Sequence, residues 1–167
     1  MSKEIAFEYE FFLKHFAPGY RADLCAWDWK ARYRVARSTG TPVLSNITAH
    51  GRWQASRCIV KKGQEYDFLA TGEWQIDEKS SLVGAEGHAD GRGKLVGAVF
   101  DDDKYVLGKP FELGTSGKWT APADGQLVLR CQQPWTEITD EDAGKISFKI
   151  KVAGCGKPFA QPDAATK

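Results

Sequence analysis

The 167-residue chain has little net charge and few histidines. Its 23 lysines and arginines almost cancel its 22 aspartates and glutamates, which leaves a formal charge of +1, and histidine occurs only three times. A general nucleic-acid binder attracts phosphates with an excess of basic residues, so nucleic acid is not an expected partner. The composition indicates neither a strongly basic nor a strongly acidic partner.

The sequence also lacks long apolar runs and closely spaced cysteines. Its N-terminus has no apolar stretch of the secretory type, so we expect no membrane insertion and, by default, a cytoplasmic location. Zinc ribbons and dithiol redox motifs need cysteines about two residues apart, which excludes both. The four cysteines are expected to be reduced, although three disulfide pairings remain open. They are Cys25, Cys58, Cys131 and Cys155.

Common catalytic motifs are absent as well. The chain has no G-x-S-x-G, H-E-x-x-H or P-loop motif, and no G-x-G-x-x-G that opens a helix. Carboxylates are abundant, but no spacing selects a pair that would flank a glycosidic bond. We therefore expect a protein that is not an enzyme.

Glycine, by contrast, is plentiful, and 14 of the 17 glycines fall between Gly63 and Gly156. Glycines at this spacing are typical of turns between short strands. Between them, apolar and polar residues alternate, which is the period of a strand with one buried face. The clearest alternation places four apolar residues on one face: Ile146, Phe148, Ile150 and Val152. The pattern predicts an all-β sandwich or jelly roll of about eight strands.

Three segments follow from the same pattern. Residues 1–26 form an aromatic-rich extension, which fits a short helix and an extended strand about equally well and is expected to pack on the sandwich in either form. Residues 27–153 form the β-sandwich domain. Residues 154–167 are polar, contain two prolines, and are expected to be a flexible tail.

The densest polar segment, residues 132–144, lies between the last two predicted strands. It combines carboxylates with hydroxyl and amide oxygens, the hard ligands that Ca²⁺ prefers. From composition alone, a solvated acidic loop is the alternative. The carboxylates are Glu137, Asp140, Glu141 and Asp142.

Two ring-bearing side chains are candidate sugar contacts. Trp135, in the middle of this polar loop, either fills the core or offers a flat surface to the C–H face of a sugar. His88 lies in a long glycine-rich loop, residues 80–93, and is either solvated or a hydrogen-bond partner of a ligand hydroxyl.

Several short segments resemble the calcium-dependent galactophilic lectins of the LecA type. The resemblance is carried by residues 63–66, 70–74, 84–87, 120–127 and 133–144, and it extends over about residues 27–153. It implies a galactose-binding-like β-sandwich in which one Ca²⁺ bridges the protein and a sugar. The family's ligating carbonyl falls near Asp77, and its loop histidine corresponds to His88.

The resemblance also assigns the remaining ligands. The family's loop aspartate falls on Gln133, its threonine on Ile138 or Thr139, and its asparagine pair on residues 141–142. Gln133 is neutral where the family has a charge, whereas the pair is charged where the family is neutral. The expected metal site is Asp77, Gln133, Thr139, Asp140, Glu141 and Asp142. The expected sugar contacts are His88, Trp135 and Glu137.

The sequence thus predicts a lectin-like module that binds a galactose-like sugar with the help of Ca²⁺. Such modules usually face the outside of the cell, which would replace the default cytoplasmic location. The alternative is a structural or protein-interaction module that binds neither sugar nor metal. In that case residues 1–26 would contact a protein partner or a second copy of the chain.

Overall fold

A computed structural model describes residues 36–37, 41–49, 51–77, 79–101, 103–104, 106–133 and 144–159. These residues form ten β-strands in two sheets and contain no helix, and so none that would cross a membrane. The all-β sandwich prediction is therefore confirmed. The strands are β1 (Ala36–Arg37), β2 (Val43–Thr48), β3 (Gln54–Val60), β4 (Glu65–Trp74), β5 (Leu95–Asp101), β6 (Val106–Leu107), β7 (Phe111–Glu112), β8 (Ser116–Thr120), β9 (Gly125–Cys131) and β10 (Gly144–Val152).

The two sheets have different sizes. The six-stranded sheet has the order β1-β3-β9-β5-β6, with β7 also paired to β5, and the four-stranded sheet has the order β2-β10-β4-β8. Neighbouring strands are antiparallel except for β1, which runs parallel to β3. The last predicted strand, β10, lies between β2 and β4 in the four-stranded sheet.

The main core lies between the sheets. As the alternation in β10 predicts, Ile146, Phe148 and Ile150 are buried there, and the Phe148 ring stacks on Phe68 with centroids 5.9 Å apart. The six-stranded sheet contributes the inward-facing side chains of β5 and β9, such as Leu129. The side chains of Cys58 and Cys131 are buried in this core, and Cys155 is an exposed free thiol.

Strand β2 follows the expected alternation at Ile47, which is buried in the main core, but not at residues 44 and 45. Ser45 is buried, whereas its neighbour Leu44 is 49% exposed. This exchange of one apolar and one polar residue weakens the alternation that would predict a strand in this segment.

The prediction that the strands between the glycines have one buried and one solvated face is wrong for β9. Val128 is as fully buried as Leu127 and Leu129, although consecutive side chains of a strand point to opposite faces. The face of the six-stranded sheet that points away from the main core is itself apolar and buried. We call it the outer face, and it is defined by Trp53, Val96, Ala98, Phe100, Leu107 and Val128.

The alternation in β10 also fails at one position. Lys151 falls on the solvent side of the strand, yet it is only 2% exposed. Its ammonium group donates hydrogen bonds to the carbonyl oxygens of Cys155 (2.6 Å) and Lys157 (2.8 Å) and lies 5.3 Å from the centre of the Phe159 ring. The chain after β10 thus folds back over this lysine. Residues 160–167, and the extension of residues 1–26, lie outside the described residues.

Candidate functional site

The connections that carry the predicted site residues meet at one end of the sandwich. Residues 75–94 connect β4 to β5, and residues 132–143 connect β9 to β10. Gly144, the first residue of β10, pairs with Trp74, the last residue of β4. The connection of residues 132–143, which we call the acidic loop, therefore rejoins the sheet beside Trp74, three residues before Asp77 in the sequence.

The connection from β4 to β5 is held by hydrogen bonds of its own. Trp74 and Val83 exchange two backbone hydrogen bonds of 3.0 Å, and the buried Trp74 indole N–H donates to the carbonyl oxygen of Gly93 (2.7 Å). Beyond the strand ends, Gly93 and Lys94 remain paired with Gln132 through backbone hydrogen bonds of 2.8 Å. This ladder fixes the start of the acidic loop against residues 93–94.

A small ion-pair network lies on this surface. The Arg92 Nε donates to Asp90 Oδ2 at 2.8 Å, and its Nη1 donates to Asp77 Oδ2 at 3.3 Å. The hydrogen bond from Arg92 lowers the pKa of Asp90, and the backbone N–H of Lys79 is the main cause of the lowered pKa of Asp77. Asp90 in turn raises the pKa of Arg92. All three groups are charged at neutral pH.

A cavity of about 320 Å³ lies beside this network, between the glycine-rich loop and the end of β9. Its lining is polar and carries charges of both signs. The lining residues are Asp90, Gly91, Arg92, Arg130, Gln132 and Gln133. Since Arg92 uses its Nε and Nη1 within the described part of the chain, its Nη2 remains available to a ligand.

The structure brings two of the predicted ligands, Asp77 and Gln133, to the same region. Asp77 Oδ1 accepts from the backbone N–H of Lys79 (2.8 Å), and its carbonyl oxygen accepts from both the N–H and the hydroxyl of Ser80 (3.2 and 3.0 Å). Gln133 is buried, and its Nε2 donates to the carbonyl oxygen of Ala49. Both side chains are thus oriented by the protein itself.

His88 lies in the glycine-rich loop of residues 80–93, but it does not line the cavity. Its Nε2 is buried and has no hydrogen-bond partner among the described residues, while its backbone N–H donates to Arg92 (2.8 Å). The other six predicted site residues lie outside the described residues. They are Trp135, Glu137, Thr139, Asp140, Glu141 and Asp142.

The predicted calcium site remains a prediction. Among the described residues, no group of three histidine, cysteine, aspartate or glutamate side chains is placed to hold a metal ion. Most of the expected ligands belong to residues 134–143, so the described part of the chain does not test the set.

Sequence reasoning missed the charged residues of the cavity, Asp90, Arg92 and Arg130. Two signals were present: the pair Asp90 and Arg92 is interleaved with glycines at 87, 91 and 93, and Arg130 interrupts the apolar run of β9. A charged side chain inside such a run needs a reason, and here Arg130 lies over the Trp53 ring at 4.7 Å while lining the cavity.

Comparison with known proteins identifies solved structures with a similar fold. No family model and no curated protein matches the chain. One similar solved structure is the EclA N-terminal domain, a PllA-like lectin, with a TM-score of 0.50, 18% identity, and coverage of 65% of this chain and 94% of that one. Another is a functionally unknown conserved protein from Bacillus anthracis str. Ames, studied as a mutant, with a TM-score of 0.41, 12% identity, and coverage of 71% and 23%. The first likeness shows that this chain has a lectin-like β-sandwich fold.

Proposed function

We propose that this protein is a non-catalytic carbohydrate-binding module, and that its sugar site is the cavity beside the Asp90–Arg92 pair. The observation that carries the proposal is the position of this cavity. It lies beside Gln132 and Gln133, where the acidic loop begins, at one end of a lectin-like sandwich. Charged and amide side chains line it.

The lining suits a ligand rich in hydroxyl groups. Each sugar hydroxyl both donates and accepts, and a carboxylate beside a guanidinium offers an acceptor and a donor to neighbouring hydroxyls. Asp90 and Arg92 form such a pair, and the exposed Gln132 side chain adds an amide. The volume falls at the lower end of small-ligand pockets, roughly 300–1,000 Å³. A monosaccharide unit is therefore the proposed occupant.

We further propose that Ca²⁺ binds in the acidic loop next to this cavity. The donor chemistry supports this, because the loop supplies the carboxylates of Asp140, Glu141 and Asp142 and the hydroxyl of Thr139, with Gln133 at its start. The bound ion would supply a positive charge for sugar hydroxyl oxygens. A galactose-like sugar is the proposed ligand because of the resemblance to galactophilic lectins, and Trp135, Glu137 and His88 are the proposed further contacts.

Titration calorimetry with a panel of galactosides, in CaCl₂ and in EDTA, tests both parts. Binding that EDTA abolishes supports the full proposal. Binding that persists in EDTA supports the sugar site and contradicts the calcium requirement. Absence of binding in both buffers, repeated on a glycan array, contradicts carbohydrate binding and favours the protein-interaction alternative.

The cavity itself is tested with Arg92→Met. We expect the variant to lose roughly tenfold or more in sugar affinity, because a hydrogen bond from a charged group to the ligand is removed. The matched control is Lys118→Met, which removes a similarly exposed ion pair to Glu65 (2.9 Å) on the other sheet. Both variants should keep the wild-type Tm, since exposed ion pairs contribute little to stability. Equal affinities for the two variants would place the sugar elsewhere.

A further inference from the structure

The outer face of the six-stranded sheet is covered, although no described strand lies on it. Cross-strand partners place Val96 opposite Arg130, Ala98 opposite Val128, and Phe100 opposite Gln126. The apolar members of the outer face are at most 2% exposed, and Gln126 is only 1% exposed. Side chains on an uncovered sheet face would be solvated, so another layer of the protein lies over them.

The described strands cannot supply this layer. All ten belong to one of the two sheets, and the four-stranded sheet packs on the opposite face, where Phe148 and Leu129 share the main core. The burial refers to a single chain with no partner present. Since no described strand lies on this face, the candidate cover is a part of the same chain outside the described residues.

The position of β1 indicates which part this is. Ala36 and Arg37 pair with Cys58 and Ile59 of β3, at the edge of the six-stranded sheet. The 35 residues that precede β1 therefore join the molecule beside the outer face. They contain nine aromatic residues, whereas residues 134–143 and 160–167 together contain only Trp135. Aromatic side chains bury large areas and suit such a face.

We infer that residues 1–35 dock on the outer face as a third layer, which makes the protein a β-sandwich closed on one side by its own N-terminal segment. The occupant is this segment of the same chain, not a second copy. The inference does not depend on sugar binding. It also gives a reason for the apolar residues of the extension, which need not serve a protein partner.

Photo-crosslinking in the full-length protein tests the inference. Ile59 points to the same face as its partner Gln126 but is 36% exposed, so p-benzoylphenylalanine at this position should not disturb folding. We expect ultraviolet light to join position 59 to residues 1–30 within one chain, identified by mass spectrometry of the monomer band. Position 44, an exposed site on the four-stranded sheet, is the control and should give no such product.

Two results would overturn the inference. A crosslinked dimer through position 59 would mean that a second copy covers the outer face. Crosslinks from position 59 that never reach residues 1–30, or that are equally frequent from position 44, would mean that the N-terminal segment lies elsewhere. Crosslinking in the absence of sugar and metal keeps this outcome separate from the proposed function.

Discussion

Gln126 carries a buried amide whose removal should stabilise the protein. The side chain is 1% exposed, and within the described ranges neither its Oε1 nor its Nε2 has a hydrogen-bond partner. Burying an unpaired amide costs about 1–3 kcal/mol, and Gln126→Leu replaces it with an apolar side chain of similar size. We expect the free energy of unfolding to rise by about 1–2 kcal/mol. For a domain of this size, that corresponds to an increase in Tm of roughly 2–8 °C.

Gln54 is the matched control because it is also buried, at 6% exposure, but both atoms of its amide have hydrogen-bond partners. Its Oε1 accepts from the backbone N–H and the hydroxyl of Thr48 (2.9 and 3.1 Å), and its Nε2 donates to the Thr48 carbonyl oxygen (3.1 Å). Gln54→Leu leaves these groups without partners and should lower stability by about 1–3 kcal/mol. Urea unfolding followed by tryptophan fluorescence measures both variants.

The opposite signs of these two changes are the test. A loss of stability in Gln126→Leu comparable to that in Gln54→Leu would refute the reasoning, because it would show that the Gln126 amide is paired in solution. An unchanged slope of free energy against urea concentration is required for the comparison, since a changed slope reports altered compactness.

Three further predictions concern single residues. Gly144→Ala should lower Tm, because Gly144 has a φ of 93° and an added Cβ would clash with the Glu73 carbonyl oxygen. Lys151→Met should cost about 1–3 kcal/mol in urea unfolding and speed hydrogen exchange after β10, because its two hydrogen bonds to carbonyl oxygens are lost. Burial raises the pKa of Cys131 to about 12, so iodoacetamide at pH 8 should label the exposed Cys155 but label Cys131 only after unfolding.

The sequence predicted the strands whose two faces differ in polarity. In β10, the side chains of Ile146, Phe148 and Ile150 enter the core as the alternation requires. Alternation does not predict burial correctly where residues distant in sequence determine whether a strand face is covered. In β2 the Leu44 side chain is exposed and Ser45 is buried, and in β9 Val128 is buried on the outer face. Apolar and polar residues alternate along a strand when one of its faces is exposed to solvent. This alternation disappears when both faces are covered.

The candidate site was predictable only in part for the same reason. A local pattern identified the acidic loop and the glycine-rich loop, but their proximity depends on the pairing of Gly144 with Trp74, which are 70 positions apart. That pairing brings the end of the acidic loop to the end of β4, from which the chain continues into the glycine-rich loop that contains Arg92. Its charge is unremarkable in the sequence, and only its contacts with Asp77 and Asp90 single it out.

Arg130 connects the two regions that sequence reasoning missed. It lies on the same face as Val128, with its guanidinium over the Trp53 ring, and it also lines the cavity. The cavity is therefore continuous with the covered outer face at Arg130. A ligand that contacts Arg130 would meet a side chain that already packs on the Trp53 ring. Less side-chain entropy is therefore lost on binding. The proposed docking of residues 1–35 on the outer face would therefore help to hold this cavity wall without adding a residue to the cavity lining.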